Sequence, residues 1–202
     1  MPDWDNDSPE LRQNLRTVLR GIRDAAQLRK PLSLKVIRAW HRDTMRGLVT
    51  PNDKWIGQFR GEAGLETIEV DIGRHDGTPA RQVATELDHF VDHLEPVISR
   101  LDKAIAPHAD LTADQLNAVL KVCAWAHSEW VRIHPFANGN GRTARLLANA
   151  IALRYGLPPF VQLRPRPNHG YGHAAEASMR GDHGPLTIAF RRMLNAVISG
   201  NS

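Results

Sequence analysis

The chain has 202 residues, 42% hydrophobic and 24% charged, with a formal net charge of +4, which is the composition of a folded globular domain rather than a disordered or fibrous chain. One cysteine, Cys123, excludes an intrachain disulfide, no run reaches the ~18 apolar residues of a membrane span, and the acidic start Met1-Pro2-Asp3-Trp4-Asp5 is the opposite of a secretory signal. A cytoplasmic protein is expected, and its mild, dispersed positive charge suits an enzyme of anionic nucleotides better than a nucleic-acid-binding domain.

Helical spacing dominates the chain. Ser8-Pro9-Glu10 offers a capping hydroxyl, a first-turn proline and an acid, and Leu11, Leu15, Val18, Leu19, Ile22 and Ala26 follow at helical intervals. Ser33 starts a second helix carrying Leu34, Ile37, Trp40 and His41 and ending at Gly47. Between Trp55 and Thr78 the pattern is broken by Gly57, Gly61, Gly64, Gly73 and Gly77. Within that stretch Thr67, Ile68, Glu69, Val70, Asp71 and Ile72 alternate as a strand does, which predicts a small β-hairpin flap. Thr78-Pro79 opens a third helix through Val83, Leu87, Phe90, Val91 and Leu94, kinked or broken at Pro96. Thr112 and Gln115 form a capping box for a fourth, whose stripe is Leu116, Val119, Leu120, Cys123, His127, Trp130 and Val131. A fifth starts near Asn140, turns Leu146, Leu147, Ala150 and Ile151 inward and stops at Gly156. The glycines of His169-Gly170-Tyr171-Gly172-His173 read as a loop, and a last helix covers residues 186–198. The fold class expected is all-α with a β flap.

The residues that carry chemistry run from His134 to Arg145 and read HPFANGNGRTAR, between the fourth and fifth helices. Gly139 and Gly141 allow several backbone N–H groups to turn into one concavity. That concavity sits at a helix N-terminus, where unpaired donors and the helix dipole favour an anion. Arg142 and Arg145 oppose the dipole, so their placement needs a bound anion to explain it, and guanidinium forks suit phosphate oxygens. His134, just ahead of the cradle, is a candidate general base. Pro135 stiffens the loop, Phe136 anchors it, and Asn138 or Asn140 can bind phosphate or orient a metal-bound water. Gly139-x-Gly141-x-x-Ala144 fits a dinucleotide fingerprint only formally, because a helix rather than a strand precedes it. No Gly-Lys-Ser/Thr occurs, so a P-loop is excluded.

This string resembles the signature of the Fic (filamentation-induced-by-cAMP) family, HPFx(D/E)GN(G/K)RxxR, at every fixed position except Asn138. The likeness extends from about Leu34 to Leu194 and includes Gly57-Gln58-Phe59-Arg60 and Arg180-Gly181-Asp182 with Pro185-Leu186. It implies a Fic-type helical bundle over residues 31–202 with a β-hairpin flap, preceded by a helical extension over residues 1–30. The implied activity is that of a protein adenylyltransferase, moving AMP from ATP to a Ser, Thr or Tyr hydroxyl of a target protein, with Mg²⁺ as cofactor. Transfer of UMP, phosphocholine or phosphate is the alternative within the family, and a non-catalytic nucleotide-binding module is the alternative outside it. By the same likeness His134 deprotonates the acceptor hydroxyl. Gly139, Asn140 and Gly141 cradle the α- and β-phosphates, Arg142 binds phosphate, and Arg145 meets the terminal phosphate. The flap at Thr67, Ile68, Glu69, Val70, Asp71 and Ile72 pairs with the target as an added strand. Asn138 stands where the family pattern has the Asp or Glu that binds magnesium, and its neutral amide is a weaker ligand for a hard cation. No inhibitory (S/T)xxxE(G/N) string occurs in the chain. Control then falls to a separate small antitoxin-like protein, to a diverged segment, or to nothing.

Other candidates are read as structural. His89 and His93 share a helix face without a third ligand, and His169 with His173 lies among glycines, so neither pair is expected to hold a metal. Tyr171 suits either a purine face or the core. His127, Cys123, Trp125 and Trp130 are expected to be packing residues, with Cys123 an inert thiol.

Overall fold

The computed structural model describes residue 4, residues 6–168 and residues 170–200. Seven α-helices and one two-stranded hairpin make up the regular structure of those residues. Helix α1 (Pro9–Gln27) begins as its cap requires, with Ser8 Oγ accepting from the Leu11 amide at 3.1 Å. Helix α2 (Leu34–Thr44) is capped by Ser33 and ends three residues before the expected Gly47. The hairpin pairs β1 (Asp71–Ile72) antiparallel with β2 (His75–Asp76). It is shorter than the alternation over Thr67 to Ile72 suggests: the Val70 carbonyl still accepts from the Gly77 amide at 2.8 Å, but Glu69 faces back to accept from the Ala80 amide at 3.2 Å and residues 67–69 run outside the ladder.

Helix α3 (Val83–Ala104) follows a 3₁₀ turn and continues unbroken through Pro96. Pro96 and Asp92 both face solvent, where water can serve the carbonyl that the proline leaves without a donor. The capping box of α4 (Ala113–Ile133) forms in both directions, between Thr112 Oγ1 and the Gln115 amide and between Gln115 Oε1 and the Thr112 amide. Helix α5 (Asn140–Arg154) is the axis of the fold. Its residues are buried almost all round, against α1, α2 and α4, so its small and aliphatic side chains find core on every side. Two buried polar groups on it are satisfied: Asn149 exchanges two hydrogen bonds with Val161, and Arg154 forks onto Asp102 at 2.9 and 2.5 Å.

The segment expected as a loop around Tyr171 is a helix, α6 (Tyr171–Met179). Gly170 takes the left-handed conformation at its cap, so the glycine marks a helix start. His169 lies outside the described residues. Helix α7 (Gly184–Ile198) closes the bundle against α4 and α6. One hydrophobic core, from Leu11 on α1 to Leu194 on α7, joins these elements. Among the described residues no helix is long and apolar enough to cross a membrane.

Candidate active site

The turn from α4 into α5 is built around two left-handed residues. His134 ends α4 at φ 51°, ψ 54°, and Gly139 opens α5 at φ 80°. Glycine is favoured there by φ, and a Cβ would in addition press on the end of the Met45 side chain, 2.4 Å from its Cε, and on His41 Nε2 at 3.2 Å. Between them Phe136 is fully buried and stacks on His41 at 3.8 Å between ring centroids. Asn140 spends its side chain on the turn itself, accepting from the Phe136 amide at 2.9 Å and donating to its carbonyl at 2.8 Å. What Asn140 and Gly141 present outward is therefore backbone N–H of the first helical turn, which a helix leaves without internal acceptors.

The imidazole of His134 has a defined tautomer. Its Nδ1 lies 2.9 Å from the Val131 carbonyl, which can only accept, so Nδ1 carries the proton and Nε2 is left as the basic nitrogen. Burial lowers the His134 pKa from its ordinary value, the Val131 bond raises it in part, and the Arg60 charge lowers it again. Arg60 itself is fully buried beneath the turn. It donates to the carbonyls of His134 at 2.8 Å, Ile133 at 3.1 Å, Ile68 at 3.1 Å and Thr78 at 2.7 Å, and so ties the base of the flap to the end of α4.

His41 supports the other side of the turn. The Gly57 amide donates to its Nδ1 at 2.9 Å, so the proton sits on Nε2 and is given to the Asn138 carbonyl at 2.9 Å. Burial pushes the His41 pKa down to about 4, which keeps this neutral tautomer in place. Asn138 Oδ1 accepts from the Gly139 amide and from Arg142 Nη2 at 3.2 Å. Arg142 also donates to the Trp4 carbonyl.

These pieces face one cleft of about 320 Å³. His134, Asn138, Gly139, Asn140, Gly141, Arg142 and Arg145 all line it, and from the flap so do Asp71, Ile72 and Gly73. Thr67, Ile68, Glu69 and Val70 do not line it. Four further residues do that the motif does not contain: Arg164, Arg166, Tyr171 and His127. Tyr171 is buried, with its hydroxyl 2.6 Å from His127 Nε2 and paired with the Arg145 guanidinium. His127 is pushed down to about 3 by burial and by the Arg145 and Arg166 charges, so it adds no charge to the cleft. Arg145 donates to the Leu163 carbonyl at 3.2 Å, while its Nε has no partner among the described residues. The sequence signal for Arg164 and Arg166 was their doublet around Pro165, which spacing alone does not connect to α5.

The remaining candidates are structural. Cys123 is buried against the Ala148 carbonyl and burial raises its thiol pKa. Trp130 lies in the core and Trp125 stacks on Phe90 at 5.4 Å. His93 bonds to the His89 carbonyl on an exposed face, and among the described residues no group of three or more His, Cys, Asp or Glu is placed to hold a metal.

Comparison with known proteins places this geometry. A sequence model of the Fic/DOC family matches residues 31–152. The protein adenylyltransferase Fic of Nematostella vectensis is 38% identical over 98 residues, covering 47% of this chain and 23% of its own length. Protein adenylyltransferase fic-1 of Caenorhabditis elegans is 37% identical over 101 residues, 50% of this chain and 17% of its own. The chain thus spans about a fifth of the length of these curated relatives. Among solved structures, a Fic-domain signalling protein of Bacteroides thetaiotaomicron superposes with a TM-score of 0.63 at 22% identity, covering 96% of this chain and 73% of its own. The effector BepC of Bartonella tribocorum, solved with bound AMPPNP, gives 0.59 at 16% identity, covering 96% and 90%.

Proposed function

This chain belongs to the Fic/DOC family, and on that premise we propose that it is a protein adenylyltransferase, transferring AMP from ATP to a hydroxyl of a target protein. The observation that carries the proposal is one cleft lined together by His134, by Asn140 and Gly141 at the start of α5, by two motif arginines and by Asp71, Ile72 and Gly73 of the flap. The relatives named adenylyltransferases support the choice of transferred group.

In this reading the target lays an extended segment along the outer edge of β1, as an added strand held mainly by backbone bonds. The acceptor hydroxyl then lies beside His134. Nε2 takes its proton as the oxygen attacks the α-phosphorus, the bond to the bridging oxygen opens, and pyrophosphate leaves. The Val131 carbonyl holds the ring and Arg60 holds the His134 backbone, so that Nε2 faces the reacting centre. The N–H groups of Asn140 and Gly141 stabilise the charge that gathers on the phosphate oxygens, with the guanidinium forks of Arg142 and Arg145 further along the chain. The imidazole is neutral and ready to accept a proton at neutral pH, because burial lowers its pKa.

Mg²⁺, which the family resemblance implies, is not fitted by the residues of the cradle. Asn138 Oδ1 is engaged by the Gly139 amide and Arg142, and the one carboxylate among the described residues that line the cleft, Asp71, belongs to the flap. A separate inhibitory protein remains part of the proposal as the partner that supplies restraint. Intact-mass and peptide mass spectrometry of lysate proteins incubated with the chain and ATP tests the reading: adenylylated Ser, Thr or Tyr supports it, and an unmodified proteome rejects it.

A further inference from the structure

Arg142 is gripped from two sides, and one of them lies outside the family match. Its Nη2 donates to Asn138 Oδ1 at 3.2 Å within the loop that opens α5, while its Nη1 donates to the backbone carbonyl of Trp4. The match to the Fic/DOC model begins at residue 31, so the second contact comes from a part of the chain that the motif does not contain. Trp4 is itself fixed in place. Its indole is buried, 6% exposed, and tilts against Trp55 at 5.8 Å between ring centroids. Its amide donates to the Val49 carbonyl at 3.0 Å, in the link that leaves α2. A few residues on, Asp7 forks onto Arg12 at 2.8 and 2.7 Å and Ser8 caps α1. Helix α1 is tied to the end of α2 in turn, where the Asn14 side chain donates to the Thr44 and Arg46 carbonyls at 3.1 and 2.7 Å.

We propose that Trp4 is a positioning residue of the phosphate site: its buried ring anchors the segment ahead of α1, and its carbonyl sets the orientation in which the Arg142 guanidinium meets phosphate. The inference rests on the nucleotide-transfer reading above and names what orients one of its arginines. An arginine side chain is long and flexible, and a phosphate contact that must first freeze it loses much of what the contact gains. A guanidinium with one Nη on a loop amide and the other on a backbone carbonyl has given up that freedom before the nucleotide arrives. The fork is planar, so two acceptors at its two ends fix its tilt as well as its place. A backbone carbonyl serves here only because its own direction is fixed, by the Val49 bond on the amide side and by the indole in the core. The segment ahead of α1 is thereby a wall of the site, although it shares no residue with the string from His134 to Arg145.

Calorimetric titration with ATP and with adenosine tests this on the full chain, on Trp4→Ala and Trp4→Phe, and on a deletion of residues 2–6 that keeps the Ser8 cap of α1. Trp4→Ala and the deletion should each weaken ATP roughly 10-fold and leave adenosine within about twofold. Either change alone suffices, should the other not fold. Trp4→Phe keeps an aromatic anchor and the same carbonyl, and should hold ATP within about threefold of the wild type. In an Arg142→Gln background the loss caused by Trp4→Ala should vanish, because the group it positions is gone. A merely structural Trp4 would weaken both ligands together, or act with or without Arg142, and either result overturns the proposal. So does ATP binding that Trp4→Ala leaves unchanged or tightens, the latter meaning that the segment blocks the site. The two readings fail separately. The expected ATP losses with no labelled target would sink the transfer reaction alone. Target labelling with an ATP affinity indifferent to Trp4 would sink only the positioning account.

Discussion

Arg60 Nε donates to the carbonyl of His134 at 2.8 Å, and the same guanidinium reaches Ile68 and Thr78 on the two sides of the flap. The side chain that seats the flap therefore also sets the left-handed backbone of the proposed base. Arg60→Lys puts one compact ammonium where a planar fork served several carbonyls, and Arg60→Ala takes this donor from all of them, the buried bonds to Ile133 and Thr78 included. Unfolding in urea should show Arg60→Ala less stable by at least about 3 kcal/mol and Arg60→Lys by less. Equal stability of all three proteins would mean that the flap and α4 are held together by other contacts.

His41 gives a signed pH prediction. Its folded pKa is about 4 against 6.5 for the free side chain. Between these values the unfolded chain takes up a proton that the folded one refuses, so stability falls as pH drops from 6.5 towards 4 and is level above that window. His127, pushed to about 3, adds a slope of the same sign that reaches further into acid. His41→Phe keeps the stack on Phe136 but loses the Asn138 and Gly57 bonds. It should cost about 2 kcal/mol at neutral pH and reduce the acid slope in a pH series of melts by the share that His41 contributes. An unchanged acid slope would mean that His41 is protonated in the folded state.

For His134 the consequence is catalytic. A base must be unprotonated, and burial lowers this one from its ordinary value. The acid limb of kcat/KM against pH should therefore lie below the ordinary histidine range, reporting the free enzyme. A limb at or above about 6.5 would place the titrating base elsewhere.

Asn138→Asp tests whether position 138 faces the phosphate chain. The carboxylate keeps both acceptor contacts of the amide and adds a negative charge beside the phosphates. In EDTA, ATP should bind about tenfold more weakly than to the wild type, and Mg²⁺ should restore it. A variant whose ATP affinity ignores Mg²⁺ would show that position 138 does not face the phosphate chain.

The helical fold was legible because its signals are local. Ser8, Ser33 and the Thr112–Gln115 box each cap the helix they announce, and the string from His134 to Arg145 carries loop, cradle and cations within one turn of chain. Two local signals misled. Alternation at Thr67 to Val70 lengthened the strand because Ile68 and Glu69 answer to Arg60 and Ala80 rather than to a ladder. Gly170 and Gly172 suggested a loop, although a glycine with positive φ is as much a helix boundary as a turn. What the sequence did not disclose is long-range. His41 meets Asn138, Arg60 meets His134, and Arg164 and Arg166 come round to Arg145 only through the packing of α2, the flap and α6 about α5. No residue spacing records such meetings, and they are what turns a recognisable loop into a defined site.

The most direct test of the transfer reaction follows the label. Wild-type chain and His134→Ala are each incubated with a target-containing lysate and ATP labelled either at the α- or at the γ-phosphorus. The account predicts a protein band labelled from α and not from γ, with a rate roughly 10²–10⁴-fold lower in His134→Ala while ATP affinity stays at the wild-type value. Label arriving from the γ-position, or α-label arriving as fast without the imidazole, would contradict it.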